Sequence, residues 1–150
     1  MKRFNFNLEK VLRLRKFKEE QAKIELGQAI GVLSGIENDI NNTALARSKA
    51  SQQRFNTVNT ETGASVHSYD PNNMFMWDNY INRLDFETEQ LLKKAAEAEL
   101  VVEEKRNIYL DASRELKVME KLKEKREEEY RRQYQIQEAK ELDEIKRVTR

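Results

Sequence analysis

Cysteine is absent from this 150-residue chain, proline occurs once and glycine four times. The first absence excludes disulfides and thiolate metal sites, although it says little about compartment. The scarcity of the other two removes most helix breakers, so long uninterrupted helices are open to the chain. No apolar run approaches the roughly eighteen residues of a membrane span. The N-terminus also lacks the apolar core of a secretory signal, so the chain is expected in the cytoplasm, without direct membrane insertion. Charge of one sign is missing too: 28 Lys and Arg stand against 27 Asp and Glu. A pI near 7.9 gives no field that would draw nucleic acid, and none is expected as a partner. Catalytic constellations are also lacking. The one histidine, His67, has only Asp70 and Glu61 near it in sequence, too little for a metal site or a triad. No phosphate loop, dinucleotide fingerprint or HExxH occurs, so the chain reads as a non-enzyme with no metal and no cofactor.

What remains is helix former in quantity. Ala, Glu, Leu, Lys and Arg make up about half of the residues, the composition of long helices and coiled coils. Leu84 to Arg150 runs without a proline or a glycine. Its apolar residues return at alternating steps of four and three: Leu84, Leu91, Ala95, Ala98, Val102, Tyr109, Ala112, Leu116 and Met119, with only Thr88 and Lys105 interrupting. This is a heptad seam, and a helix of that length keeps its stripe out of water only if a partner helix covers it. The partner lies earlier in the same chain. Leu8, Leu12, Ala22, Leu26, Ala29, Leu33, Ile36 and Ile40 follow the same steps once Arg15 and Glu19 are admitted, and the row continues through Thr43, Arg47, Ala50 and Arg54.

Between the seams, Asn56 to Asn73 collects Asn, Thr, Ser, Gly and the single Pro. Two seams of similar length joined by a short break make antiparallel neighbours. The expected fold is therefore all-α, a long two-helix antiparallel coiled-coil hairpin forming a single domain over residues 1–150. Its first helix should run from about 7 to 57, with Asn7 as N-cap, and its second from about 74 to 148, with a loop of about 58–73 between. Counting back along the pairing puts Phe4 near Glu128, so the last twenty or so residues overhang. Gly27, Gly31 and Gly35 fall off the seam, either as drift on a solvated face or as a bare strip for another protein.

Two surfaces stand out. The first 23 residues are locally basic, and the late run Lys121 to Arg132 alternates charges with Glu127–Arg131 and Glu128–Arg132 in the favourable i,i+4 order. Such a run reads either as a solvated helix face or, taken with the basic N-terminus, as a charged stem that plugs into another protein. The second surface is Met74, Phe75, Met76, Trp77, Tyr80 and Ile81, an aromatic-rich entry into the second helix. Such a cluster is either a local plug that stabilises the hairpin end or a binding site; a two-helix hairpin has few places to bury Trp77 and Phe75 together, and an exposed remainder would mark a contact with another protein.

The ends of the chain, FNFNLEKVLRLRKFKEEQAKIEL (Phe4 to Leu26) and RELKVMEKLKEKREEEYRRQYQIQEAKELDEIKR (Arg114 to Arg147), resemble the FliJ family of flagellar export proteins, soluble components of the flagellar type III secretion apparatus. The segment from about Asn41 to Asp78 carries the resemblance least. The resemblance implies a coiled coil similar to the central stalk, or γ subunit, of rotary ATPases. It further implies three partners: the hexameric flagellar export ATPase, whose assembly and activity the stalk promotes, the cytoplasmic domain of the export gate protein, and export chaperones. The implied place is peripheral to the inner membrane at the flagellar base. Under this reading Arg13, Arg15, Lys16, Lys121, Lys125, Arg126, Arg131 and Arg132 are the candidates for the ATPase, and Trp77, Tyr80 and Ile81 for the gate. The competing readings are a general coiled-coil scaffold or tether, a nucleic-acid-associated hairpin, and the equivalent stalk of a virulence-type secretion system or a rotary ATPase.

Overall fold

The computed structural model of the chain describes residues 3–63 and 71–149. Of the expected loop of about 58–73, residues 64–70, His67 included, lie outside the described residues, and the remainder is helical, so both helices run further into it than expected. Two helices account for nearly all of the rest, α1 (Glu9–Gly63) and α2 (Pro71–Val148), and no strand occurs among the described residues. The chain is all-α, a two-helix antiparallel hairpin whose helices pack on each other. Helix α1 opens two residues after Asn7, where the Glu9 N–H donates to the Phe6 carbonyl at 3.1 Å. Glu9 then places a carboxylate in the first turn, where the helix dipole favours it. Helix α2 opens on Pro71, whose missing N–H costs nothing at a first helical position.

The chain divides into two units. Unit 1 holds residues 1–25 and 106–150, and unit 2 holds residues 26–105. In each, the inner residues of both helices are those of the heptad rows. In unit 2, Ala50, Leu84, Ala95 and Val102 are buried, and Leu26, Ala29, Leu33, Ile36, Ile40, Leu91 and Ala98 are half-buried. In unit 1, Phe6, Ala22 and Met119 are buried, and Leu12, Tyr109, Ala112 and Leu116 are half-buried beside them. The polar members belong to the rows as well: Arg15, Glu19, Thr88 and Lys105 are all half-buried. Thr88 satisfies its hydroxyl locally, donating to the Leu84 carbonyl at 2.8 Å, and Thr43 does the same to Asp39 at 2.8 Å. Two positions depart from the rows: Leu8, just before α1, is 37% exposed, and Arg47 leaves the seam. Arg47 is exposed and Ala46 is half-buried, because the long guanidinium swings out to reach Asp85.

Ion pairs across the seam fix how the helices face each other. In unit 2, Arg47 meets Asp85, and seven residues on, Arg54 Nε meets Asp78 Oδ1 at 2.7 Å, seven residues back. Each step forward in α1 is thus one step back in α2. The Arg47 contact is two-pronged, with a second guanidinium nitrogen 3.4 Å from Asp85 Oδ2. The Asp85 hydrogen bond, then its charge, raises the Arg47 pKa further above its ordinary value. In unit 1, Glu9 takes Lys123 at 3.0 Å and Arg15 takes Glu115. These pairs are open to solvent, which screens them, so they serve register more than stability. The open end of unit 1 is closed by aromatics: Phe6 is buried, and the Phe4 ring lies 5.5 Å from that of Tyr130. That contact is two residues beyond the Glu128 expected from simple counting, since the ring reaches past its own level to plug the end.

Gly27, Gly31 and Gly35 are exposed, and a Cβ built on any of them would meet nothing within 4 Å. Each therefore lowers helix stability with no packing reason in this chain. Replacing all three with Ala is expected to stabilise the hairpin by about 1–3 kcal/mol. A thermal melt followed by circular dichroism checks this; an unchanged or lowered midpoint would mean that the strip is constrained in the free protein.

Candidate partner-binding surfaces

The eight cations singled out from the sequence all fall in unit 1, where 21 Lys and Arg stand against 15 Asp and Glu. Seven of them, Arg13, Lys16, Lys121, Lys125, Arg126, Arg131 and Arg132, are exposed. Arg15 is different: it sits half-buried in the seam and is paired with Glu115 across the helices. Arg131 is held to Glu127 at 2.7 Å, the expected i,i+4 pair, yet its side chain stays 71% exposed. A pair that open leaves the guanidinium available to a partner. The surface is therefore a set of long, solvated cations on both helices of one unit.

Past Tyr134, every residue from 135 to 149 is exposed. This is the expected overhang, helical to Val148. Leu142, Ile145 and Val148 are apolar and bare on it, 54%, 61% and 87% exposed.

Unit 2 has the opposite charge balance, with 7 Lys and Arg against 12 Asp and Glu. At the start of α2 the aromatic entry divides into two sides. Met74, Trp77 and Ile81 are half-buried against the seam, with Trp77 edge-on to Tyr80 at 6.2 Å. Phe75, Met76 and Tyr80 face out, 66%, 68% and 43% exposed. Of the three candidates for the gate, only Tyr80 is exposed; Trp77, edge-on to it, and Ile81 are half-buried. Phe75 and Met76 are the larger exposed groups there, and helical spacing alone names them, since Met74, Trp77 and Ile81 follow the seam and their neighbours do not. On α1, Phe55 is also 62% exposed.

Among the described residues no group of His, Asp or Glu is placed to hold a metal ion. No helix of the described residues is long and apolar enough to cross a membrane. Against known families, residues 4–149 match the model described as the flagellar FliJ protein. The chain belongs to the FliJ family. The match spans nearly all of the chain, including the middle segment that least shows the resemblance in sequence. Searches of curated proteins and of solved structures returned no match. Membership gives the chain a role connected with flagellar export, in a family that is a non-catalytic export component.

Proposed function

We propose that this FliJ-family chain is a non-enzymatic stalk and escort of the flagellar type III export apparatus. In this reading unit 1 engages the hexameric export ATPase and promotes its assembly and activity. The outer aromatic surface of unit 2 engages the cytoplasmic domain of the export gate, and the protein also assists export chaperones. It acts in the cytoplasm, peripheral to the inner membrane at the flagellar base. The observation that supports it most is the contrast between two surfaces: solvated cations on both helices of unit 1, and exposed aromatics at the start of α2 in unit 2. Mobile cations suit contacts with an acidic lining that changes during turnover, because exposed charges set association rate and salt dependence more than they lock a geometry. Phe75, Met76 and Tyr80, underlain by Trp77 and Ile81, suit a contact that stays, because aromatic anchors carry most of the energy of a durable interface.

Photo-crosslinking residues placed singly at Lys125 and at Met76 test the division. The expected result is capture of the ATPase from Lys125 and of the gate domain from Met76. Capture of one partner equally from both positions would overturn it.

A further inference from the structure

Within the exposed overhang of α2, the stretch Leu142–Val148 reads Leu, Asp, Glu, Ile, Lys, Arg, Val. Turned end for end about Ile145, it maps apolar onto apolar and acid onto base: Leu142 falls on Val148, Asp143 on Arg147 and Glu144 on Lys146. The order is self-complementary. Leu142, Ile145 and Val148 stand three residues apart, which on a helix makes one stripe, and each is more than half exposed. Glu141 and Glu144 share a shallow groove with Ile145 and Val148 along one edge of that stripe. Among the described residues Asp143, Glu144, Lys146 and Arg147 form no ion pair, so all four charges are open to another chain.

Charge and direction together decide what fits there. In an antiparallel pair each edge of a helix stays beside the same edge of its neighbour, whereas in a parallel pair it meets the opposite edge. A second copy laid antiparallel about Ile145 therefore sets Leu142 against Val148 and Ile145 against itself. Arg147 of that copy comes beside Glu141 and Glu144, and its Lys146 beside Asp143. Laid parallel, the same stripe would bring Glu144 level with Asp143 and Arg147 level with Lys146, like charge on like. We infer that the overhang is a self-association site that joins two copies of this chain, antiparallel, through residues 141–149. Thr149 of one copy then lies level with Glu141 of the other, so the contact stops short of Tyr134, the last half-buried residue of α2, and leaves the hairpin undisturbed. So short a contact buries less than the roughly 1,000 Å² of a durable interface, and the dimer is weak, with a Kd on the order of 100 μM. The inference rests on the overhang alone and not on the ATPase or gate reading.

Sedimentation equilibrium of the full-length protein, over concentrations that bracket this Kd, tests the site. A dimer that fills as concentration rises is expected. Ile145→Asp, at an exposed position, should leave the helicity unchanged and weaken the dimer by at least about tenfold. Asp143→Lys with Glu144→Lys should weaken it as much by setting base against base. Adding Lys146→Glu and Arg147→Glu to that variant restores the complementary order with its signs exchanged, and should recover the parent's affinity. Because the chain has no cysteine, a single introduced one reads direction. Oxidation should join two copies of Ile145→Cys but not of Gln135→Cys, whose thiols lie far apart in the antiparallel pair and side by side in a parallel one. A protein that stays monomeric throughout, a dimer indifferent to Ile145→Asp, failure of the fourfold exchange to recover affinity, or joining through Gln135→Cys would each overturn the proposal.

Discussion

Val102→Asp is expected to unfold the hairpin, while Val101→Asp one residue earlier leaves it nearly as stable as before. Val102 is 5% exposed in the seam of unit 2, and Val101 is 46% exposed. A carboxylate forced into the seam loses its water and finds no partner, a cost of roughly 3–5 kcal/mol. Small folded chains hold about 5–15 kcal/mol in total, and a two-helix packing with no fully buried side chain belongs near the low end. The loss is therefore most of the stability, and the midpoint of a thermal melt should fall by more than about 10 °C. Val101→Asp removes only a partly exposed methyl pair and should stay within about 1 kcal/mol of the parent. Circular dichroism of the two variants separates them. Equal effects would mean that the seam runs along a different face.

The second large effect concerns the cations of unit 1. Replacing Lys16, Lys121, Lys125 and Arg126 together with Glu changes the local charge by eight, yet all four side chains are exposed and none belongs to the cross-helix pairs. Fold and melting midpoint should barely move. Affinity for the export ATPase should fall on the order of 100-fold, mainly through slower association, and single replacements should each be mild. Surface plasmon resonance at two salt concentrations reads both quantities. Unchanged affinity of the fourfold variant would remove these residues from the interface.

Much of the fold is legible in the sequence because a heptad seam is a physical necessity for helices of this length. The rows from Leu12 to Ile40 and from Leu84 to Met119 face inward as their spacing requires, and even the polar members Arg15, Glu19, Thr88 and Lys105 keep their places. Period alone does not reveal how a long side chain leaves the row. Arg47 occupies a seam position by count, but the structure turns it out to Asp85 and lets Ala46 in, a choice that depends on which residue lies opposite. Helix α1 begins at Glu9, close to the expected start of about residue 7, where the Glu9 N–H bonds the Phe6 carbonyl.

The surfaces are less legible than the core. Trp77 draws the eye as the single tryptophan, but its place in the row carries it halfway inward, and the exposed groups are its neighbours Phe75 and Met76. Charge segregation also depends on pairing: the surplus of cations on residues 1–25 becomes a property of a unit only when residues 106–150 join it.

The most direct test of the central claim is the steady-state ATP turnover of the matching export ATPase with and without the purified protein, alongside a count of hexameric rings in electron micrographs. A stalk that organises the ring predicts faster turnover and more hexamers, both lost in the fourfold charge reversal. Binding that leaves turnover and ring number unchanged would contradict it and make the hairpin a tether.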